Sequence, residues 1–310
     1  MWLGGSMNTP GSLGSLVPFI LAVLLKICKC PVTNALIPAA PATPKRSSLG
    51  GVGPPAKNGG GREVPNKPLG CASREMDQYS PEALCPPVLE LITPDGCASL
   101  EDPSRLLIVE SVRRAVAGGV SLVQFRDYKS DAAKKAGLAP QLRAATGGRA
   151  WFVVNGEPDI ARAYGADGVH LPERMMSRLV GLRDAGEWPR VVGCSVHSVA
   201  AAIKAARLGA DYIQVGTMFA TPSHPGKEPE GVALLTDVRR ALEAKGFRGV
   251  LVIGVGGIDA SNCGVVAAVG GDGVAAIRCL CEGSDAEEEA RRMISAFKGD
   301  TEASPGCAQP

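Results

Sequence analysis

From Val88 onward the chain repeats one unit, and that repeat constrains the fold more than any other feature. A short run rich in Val and Ile is followed by a polar or Gly turn, then by a segment with helical spacing. The runs are "VLELIT" (88–93), "SLVQFRD" (121–127), "AWFVVNG" (150–156), "DGVHLP" (167–172), "RVVGCSV" (190–196), "DYIQVGTMF" (211–219), "VLVIGVGG" (250–257) and "DGVAAIR" (272–278). Helical segments lie between them, including "MMSRLVGLRDAG" (175–186) after the fourth run. Runs nearly continuous in apolar residues are what parallel strands buried on both faces require. Eight strands alternating with helices over about 210 residues predict an α/β fold, a single (β/α)8 TIM barrel spanning 86–299. The repeats "GADGV", "GADYI" and "GGDGV" mark helix C-caps that feed the next strand. A doubly wound sheet is the alternative, and no G-x-G-x-x-G follows the first strand to support it.

The first 85 residues do not share this pattern. "LVPFILAVLL" (16–25) is an apolar run of signal-peptide length, too short to span a bilayer comfortably. Residues 31–70 are rich in Pro, Gly, Ala and Ser, a composition that cannot bury enough apolar surface to fold. No Asp or Glu precedes Glu63, whereas Lys26, Lys29, Lys45, Arg46, Lys57 and Arg62 do. Residues 1–62 therefore carry +6 of a total of +2, which leaves −4 on the remainder. An acid-poor, basic, hydroxyl-bearing stretch after an apolar run predicts a disordered N-terminal targeting leader over 1–85. A plastid reached by signal plus transit peptide is the expected destination, with mitochondrial or secretory alternatives. Residues 300–310 read as a disordered tail. The mildly acidic remainder gives no nucleic-acid footprint, and no membrane contact is expected of the mature form. Ten cysteines occur without a C-x-x-C or a disulfide framework. Exposed barrel helices often build dimers, so a homodimer is an open expectation.

In such a barrel the active site lies where the strands end. All three histidines of the chain, His170, His197 and His224, fall at or after strand ends. Gln124, Arg126 and Asp127, Asn155, Glu173, Ser195 and Ser198, and Thr221 and Ser223 share that rim. Arg126 and Asp127 could simply pair with each other, and Ser198 could only cap a helix. Strands seven and eight end in "GVGGI" and "AIRC". Gly256 and Gly257 let backbone N–H groups approach an anion, and Arg278 beside Ile277 adds a permanent cation. Together these predict a phosphate cup and a small phosphorylated substrate.

At these residues the chain resembles the thiamine phosphate synthase/TenI family over roughly residues 88–298. The resemblance is carried by "VQFRD", "VVNGEPDIA", "GADGVHLPE", "GCSVHS", "GADYIQVGTMFATPSHPGK", "GVGGI" and "GGDGVAAIRCL". The family's synthases join hydroxymethylpyrimidine diphosphate to thiazole phosphate with Mg²⁺ held by two aspartates. Here those positions match Gly156 and about Met175. The synthase lysines match Tyr128, with Lys129 adjacent, and His224, and a synthase serine matches Arg278. Diphosphate departure wants a divalent cation on carboxylate oxygens. Gly156 and Met175 supply none, and Glu157, Asp159 and Glu173 would have to substitute. The TenI branch is the closer likeness, through Asn155-Gly156 and Ser195-Val196-His197-Ser198.

That likeness implies a thiazole tautomerase acting on a carboxythiazole phosphate, with no metal or redox cofactor. It implies His197 as general acid/base, with Glu173 or His170 as the second group. Gln124, Arg126 and Asn155 would orient the ring or carboxylate, and Ser195, Thr221, Ser223 and His224 would complete the substrate wall. Gly256, Gly257, Ile277 and Arg278 would hold the phosphate. The alternatives are the Mg²⁺-dependent synthase and a non-catalytic protein that binds thiamine phosphates.

Overall fold

The eight apolar runs become eight strands, and each is shorter than its run because the terminal residues turn into the loops. They are β1 Val88–Ile92, β2 Leu122–Phe125, β3 Trp151–Asn155, β4 Gly168–Leu171, β5 Val191–Val196, β6 Tyr212–Gly216, β7 Leu251–Val255 and β8 Gly273–Ala276. In the computed structural model they pair in sequence order, all parallel, and β8 returns to β1 to close the barrel. The structure describes residues 83–101, 103–156, 158–182, 188–223, 226 and 228–300. The signal-like and transit-like stretches, His224 and residues 301–310 lie outside the described residues.

Helices alternate with the strands: α1 Ser104–Ala117, α2 Ala132–Thr146, α3 Pro158–Ala163, α4 Val199–Arg207, α5 Gly231–Ala244, α6 Cys263–Ala268, α7 Arg278–Cys281 and α8 Ala286–Lys298. Their starts follow capping chemistry. Asp131, Ser198 and Asp285 each turn a side-chain oxygen onto the first free N–H groups of α2, α4 and α8. Among the described residues no helix is long and apolar enough to cross a membrane.

One helix expectation fails. The α-helix expected over 175–186 is a 3-10 turn over Glu173–Leu179, and residues 183–187 lie outside the described residues. Only Met176 and Leu179 are buried in it. They stand three residues apart, and a 3-10 turn puts i and i+3 on one line where an α-helix would splay them.

The apolar residues sort into two cores by the period of two along each strand. Leu89, Leu91, Val123, Phe125, Phe152 and Val169 face outward and pack under the helices. Val88, Ile92, Leu122, Trp151, Val153, Val191, Tyr212 and Ile253 fill the barrel interior. The interior is therefore a packed plug, and an open space can form only above it, where the strands end.

Candidate active site

That space is a cavity of about 420 Å³ walled by the ends of the strands. Gln124, Arg126, Asn155, Glu173, Ser195, His197, Ser223, Gly256 and Ile277 line it. A second cavity of about 270 Å³ shares Ser223, Val255, Gly256 and Ile277 with the first and adds Thr221, Gly257 and Arg278. Of the described rim residues expected from sequence, all but Asp127, His170 and Ser198 line one of the two.

His197 follows β5 directly. Its Nδ1 lies 2.7 Å from the Gly216 carbonyl oxygen. A carbonyl has no hydrogen to give, so Nδ1 carries the proton and donates. Nε2 is left as the basic nitrogen, on a side chain that is half exposed and lines the cavity. The His197 backbone N–H donates to Glu173 Oε2 at 2.8 Å, and a Glu230 carboxylate oxygen stands 3.7 Å from Nδ1. Glu173 thus fixes the His197 backbone, and Glu230 stands near the ring.

His170 is corrected. It does not reach the cavity: it is fully buried inside β4, with Nδ1 3.0 Å from the Tyr212 hydroxyl and Nε2 2.8 Å from Ser195 Oγ. Burial, helped by the charge of Arg126, pushes its pKa down to about 3, so the ring is neutral. Its role is to hold the Ser195 hydroxyl, which does line the cavity. The Tyr212 ring fits beneath because residue 193 is glycine; a Cβ there would lie 2.1 Å from Cζ of Tyr212.

Arg126 and Asp127 do not pair. Arg126 lies over the Tyr128 ring at 4.8 Å, and Arg174 lies over the same ring at 5.5 Å, so the cavity mouth is cationic. Asp127 points away and accepts from the backbone N–H groups of Gly96, Ala98 and Ser130 and from the Ser130 hydroxyl. Burial pushes its carboxyl up, but those donors outweigh it and hold the pKa below the usual carboxylate value.

Sequence reasoning missed a polar chain below the floor. The Tyr128 hydroxyl donates to Asn155 Oδ1, Asn155 Nδ2 to Gln124 Oε1, and Gln124 Nε2 to Glu90 Oε1. From the opposite wall Gln214 Nε2 donates to Glu90 Oε2. Glu90 sits within an apolar run, and its two partners lie 34 and 124 residues away. No local signal announces such a meeting.

Gly256, Gly257, Ile277 and Arg278, the residues expected to hold a phosphate, line the second cavity together. Gly257 has φ +65°, and a Cβ there would meet the Ala220 carbonyl oxygen at 2.5 Å. Gly257→Ala is expected to cost about 1–3 kcal/mol in stability and to weaken binding of a phosphorylated ligand. Urea unfolding and isothermal titration calorimetry with thiazole phosphate would check both.

The donor set does not suit the divalent cation of the synthases. Gly156 has φ +121°, a conformation an aspartate would adopt only under strain. Glu173 is committed to the His197 N–H, Glu230 to the Thr217 N–H, and Asp127 to its loop. Among the described residues no three His, Cys, Asp or Glu side chains converge as metal ligands.

The fold is a (β/α)8 barrel with two adjoining cavities at its strand ends. The family model described as thiamine monophosphate synthase (TMP-TENI) matches residues 91–280, and the chain belongs to that family. A thiamine-phosphate synthase of Methanoculleus marisnigri is 37% identical over 201 residues, covering 61% of this chain and 88% of that protein. One of Gloeobacter violaceus is 36% identical over 180 residues, covering 57% of this chain. The chain spans only half of that relative's length. Among solved structures, the thiamine phosphate pyrophosphorylase of Pyrococcus furiosus superposes with a TM-score of 0.55 at 28% identity. That match covers 68% of this chain and 96% of the other.

Proposed function

We propose that this barrel acts in thiamine biosynthesis by moving a proton on a small phosphorylated thiazole, the step that makes the ring aromatic. The observation that carries this is the fixed tautomer of His197. Its Nδ1–H is held by the Gly216 carbonyl, and Nε2 is left to take a proton. A C–H bond on the ring breaks, and its electron pair moves into the ring. The exocyclic double bond opens to accept a proton on carbon. No electron leaves the substrate, and positioned proton carriers suffice. Glu173, tied to the His197 backbone and lining the cavity, is the second proton carrier. Gln124 and Asn155 orient the ring. Arg126 and Arg174 meet a carboxylate at the mouth, and Gly256, Gly257, Ser223 and Arg278 take the phosphate.

The names of the relatives favour a second reading, transfer of hydroxymethylpyrimidine onto thiazole phosphate, over the proton shift. Against it stands the donor set: Gly156 bears no carboxylate, and Glu173 and Glu230 already accept backbone N–H groups, while Glu157 lies outside the described residues.

Two assays on the full chain separate the readings. Aromatisation of carboxythiazole phosphate tautomer, followed by ultraviolet absorbance with EDTA present, should run well above the buffer rate. Thiamine phosphate formation with Mg²⁺ should not. The reverse result would assign the transferase, and turnover in neither assay would leave a binding protein. Arg278→Ala should weaken phosphorylated thiazole binding by about 1.5–3 kcal/mol, the worth of a charge-assisted hydrogen bond. It should leave binding of the dephosphorylated alcohol unchanged in the same calorimeter.

A further inference from the structure

Both arms of the polar chain beneath the cavity end on Glu90. It is fully buried, and each of its oxygens accepts at 2.7 Å from a glutamine amide, Gln124 on β2 and Gln214 on β6. An ionised carboxylate can only accept, so both glutamines must turn their NH₂ groups down to it and their oxygens away. The oxygen of Gln124 is taken by Asn155, whose own oxygen is taken by Tyr128. Gln214 lines the cavity, and its oxygen is the end left for a ligand.

We propose that Glu90 is a positioning residue that sets the hydrogen-bond polarity of the cavity floor, and that a single proton on it turns Gln214 from acceptor to donor. A protonated Glu90 has one O–H to place. The acceptors in reach are the two glutamine oxygens, each brought round by an amide flip. Flipping Gln124 would also force Asn155 and Tyr128 to turn, whereas flipping Gln214 disturbs neither. The proton enters from solvent, Glu90 O–H then donates to Gln214 Oε1, and Gln214 Nε2 faces the ligand. An ionised Glu90 favours a ligand N–H or O–H at the floor; a protonated one favours a ligand ring nitrogen or oxygen.

The surroundings permit that proton at ordinary pH. Burial raises the Glu90 pKa to about 7, against the opposing pull of Gln214 and Gln124. Its strand neighbours are Leu122 on β2 and Ala275 on β8, both apolar. On β6 the titratable neighbour is Tyr212, whose phenol is pushed up by burial first and by Glu90 second. No arginine, lysine or histidine of the described residues registers at Glu90.

The inference goes beyond the proton-shift reading and does not need it, because a transferase in the same cavity would meet the same floor. The chain has five glutamines, Gln78, Gln124, Gln141, Gln214 and Gln309. Side-chain ¹⁵N labelling of glutamine in the full chain therefore gives a spectrum of five NH₂ pairs. The Gln214 pair, identified by its loss in Gln214→Asn, should shift between pH 5.5 and 8.5 with a midpoint near neutrality. Gln141 should stay fixed, and in Glu90→Gln the movement should vanish. A Gln214 pair that does not titrate, or that still titrates in Glu90→Gln, overturns the proposal. If Glu90→Gln fails to fold, ¹³C labelling of glutamate carboxyls in the unaltered chain decides. One signal must titrate far above the rest, with the midpoint shown by Gln214; without it the proposal fails. None of these readouts involves turnover, so its failure and that of the proton-shift reading are separable.

Discussion

His197→Asn is expected to lower turnover of the thiazole tautomer by roughly 10²–10⁴-fold, the usual worth of a positioned acid/base. It should leave the folded state nearly untouched. The side chain is half exposed and makes one neutral hydrogen bond, to the Gly216 carbonyl, which the asparagine amide can replace. A hydrogen bond of that kind contributes about 1 kcal/mol in any case. Affinity for thiazole phosphate should stay within a few fold, because the residues proposed to take the phosphate, Gly257 and Arg278, line the second cavity, which His197 does not line. A fall in kcat at constant KM is the signature of a group acting in the transition state. An equal fall in affinity would reduce His197 to a binding residue.

The second large effect is on the pH dependence of stability, where two buried groups work against each other. The native chain keeps His170 neutral down to about pH 3, whereas an unfolded histidine takes up its proton near 6.5. Between those values the unfolded state binds more protons, so His170 costs stability as pH falls, on the order of 5 kcal/mol over the whole interval. Glu90 has the opposite sign. Its native pKa is about 7 against 4.5 unfolded, so the native state binds more protons in that window. Stability gained there as pH falls is on the order of 3 kcal/mol. From pH 6.5 to 4.5 the two slopes, each about 1.4 kcal/mol per pH unit, nearly cancel. Glu90→Gln removes one of them. Urea unfolding of that variant should then show stability falling by roughly 3 kcal/mol between pH 6.5 and 4.5, relative to the unaltered chain. Parallel profiles would mean that Glu90 does not hold its proton as its burial demands.

The barrel was readable because each strand is a short apolar run between helix signals, and because one topology closes eight such units. The rim followed from the barrel, since strand ends converge on one face whatever the loops do. His197 stood out for that reason. His170 did not separate from it by sequence alone: in a four-residue strand one position decides between rim and interior, and Tyr212 and Ser195 claim the ring only in three dimensions. Arg126 and Asp127, adjacent at a strand end, point to opposite sides and so cannot pair as their sequence suggests. Glu90 was hidden by its surroundings. A carboxylate in "VLELI" shows no partner in the sequence until Gln124 and Gln214 arrive from other strands to satisfy it.

The most direct measurement is proton NMR of the carboxythiazole phosphate tautomer in D₂O with EDTA and the full chain. Proton transfer through His197 predicts rapid conversion to the aromatic product with one deuterium on the former exocyclic carbon, and loss of that conversion in His197→Asn. Conversion no faster than in buffer, or equally fast in His197→Asn, would contradict it.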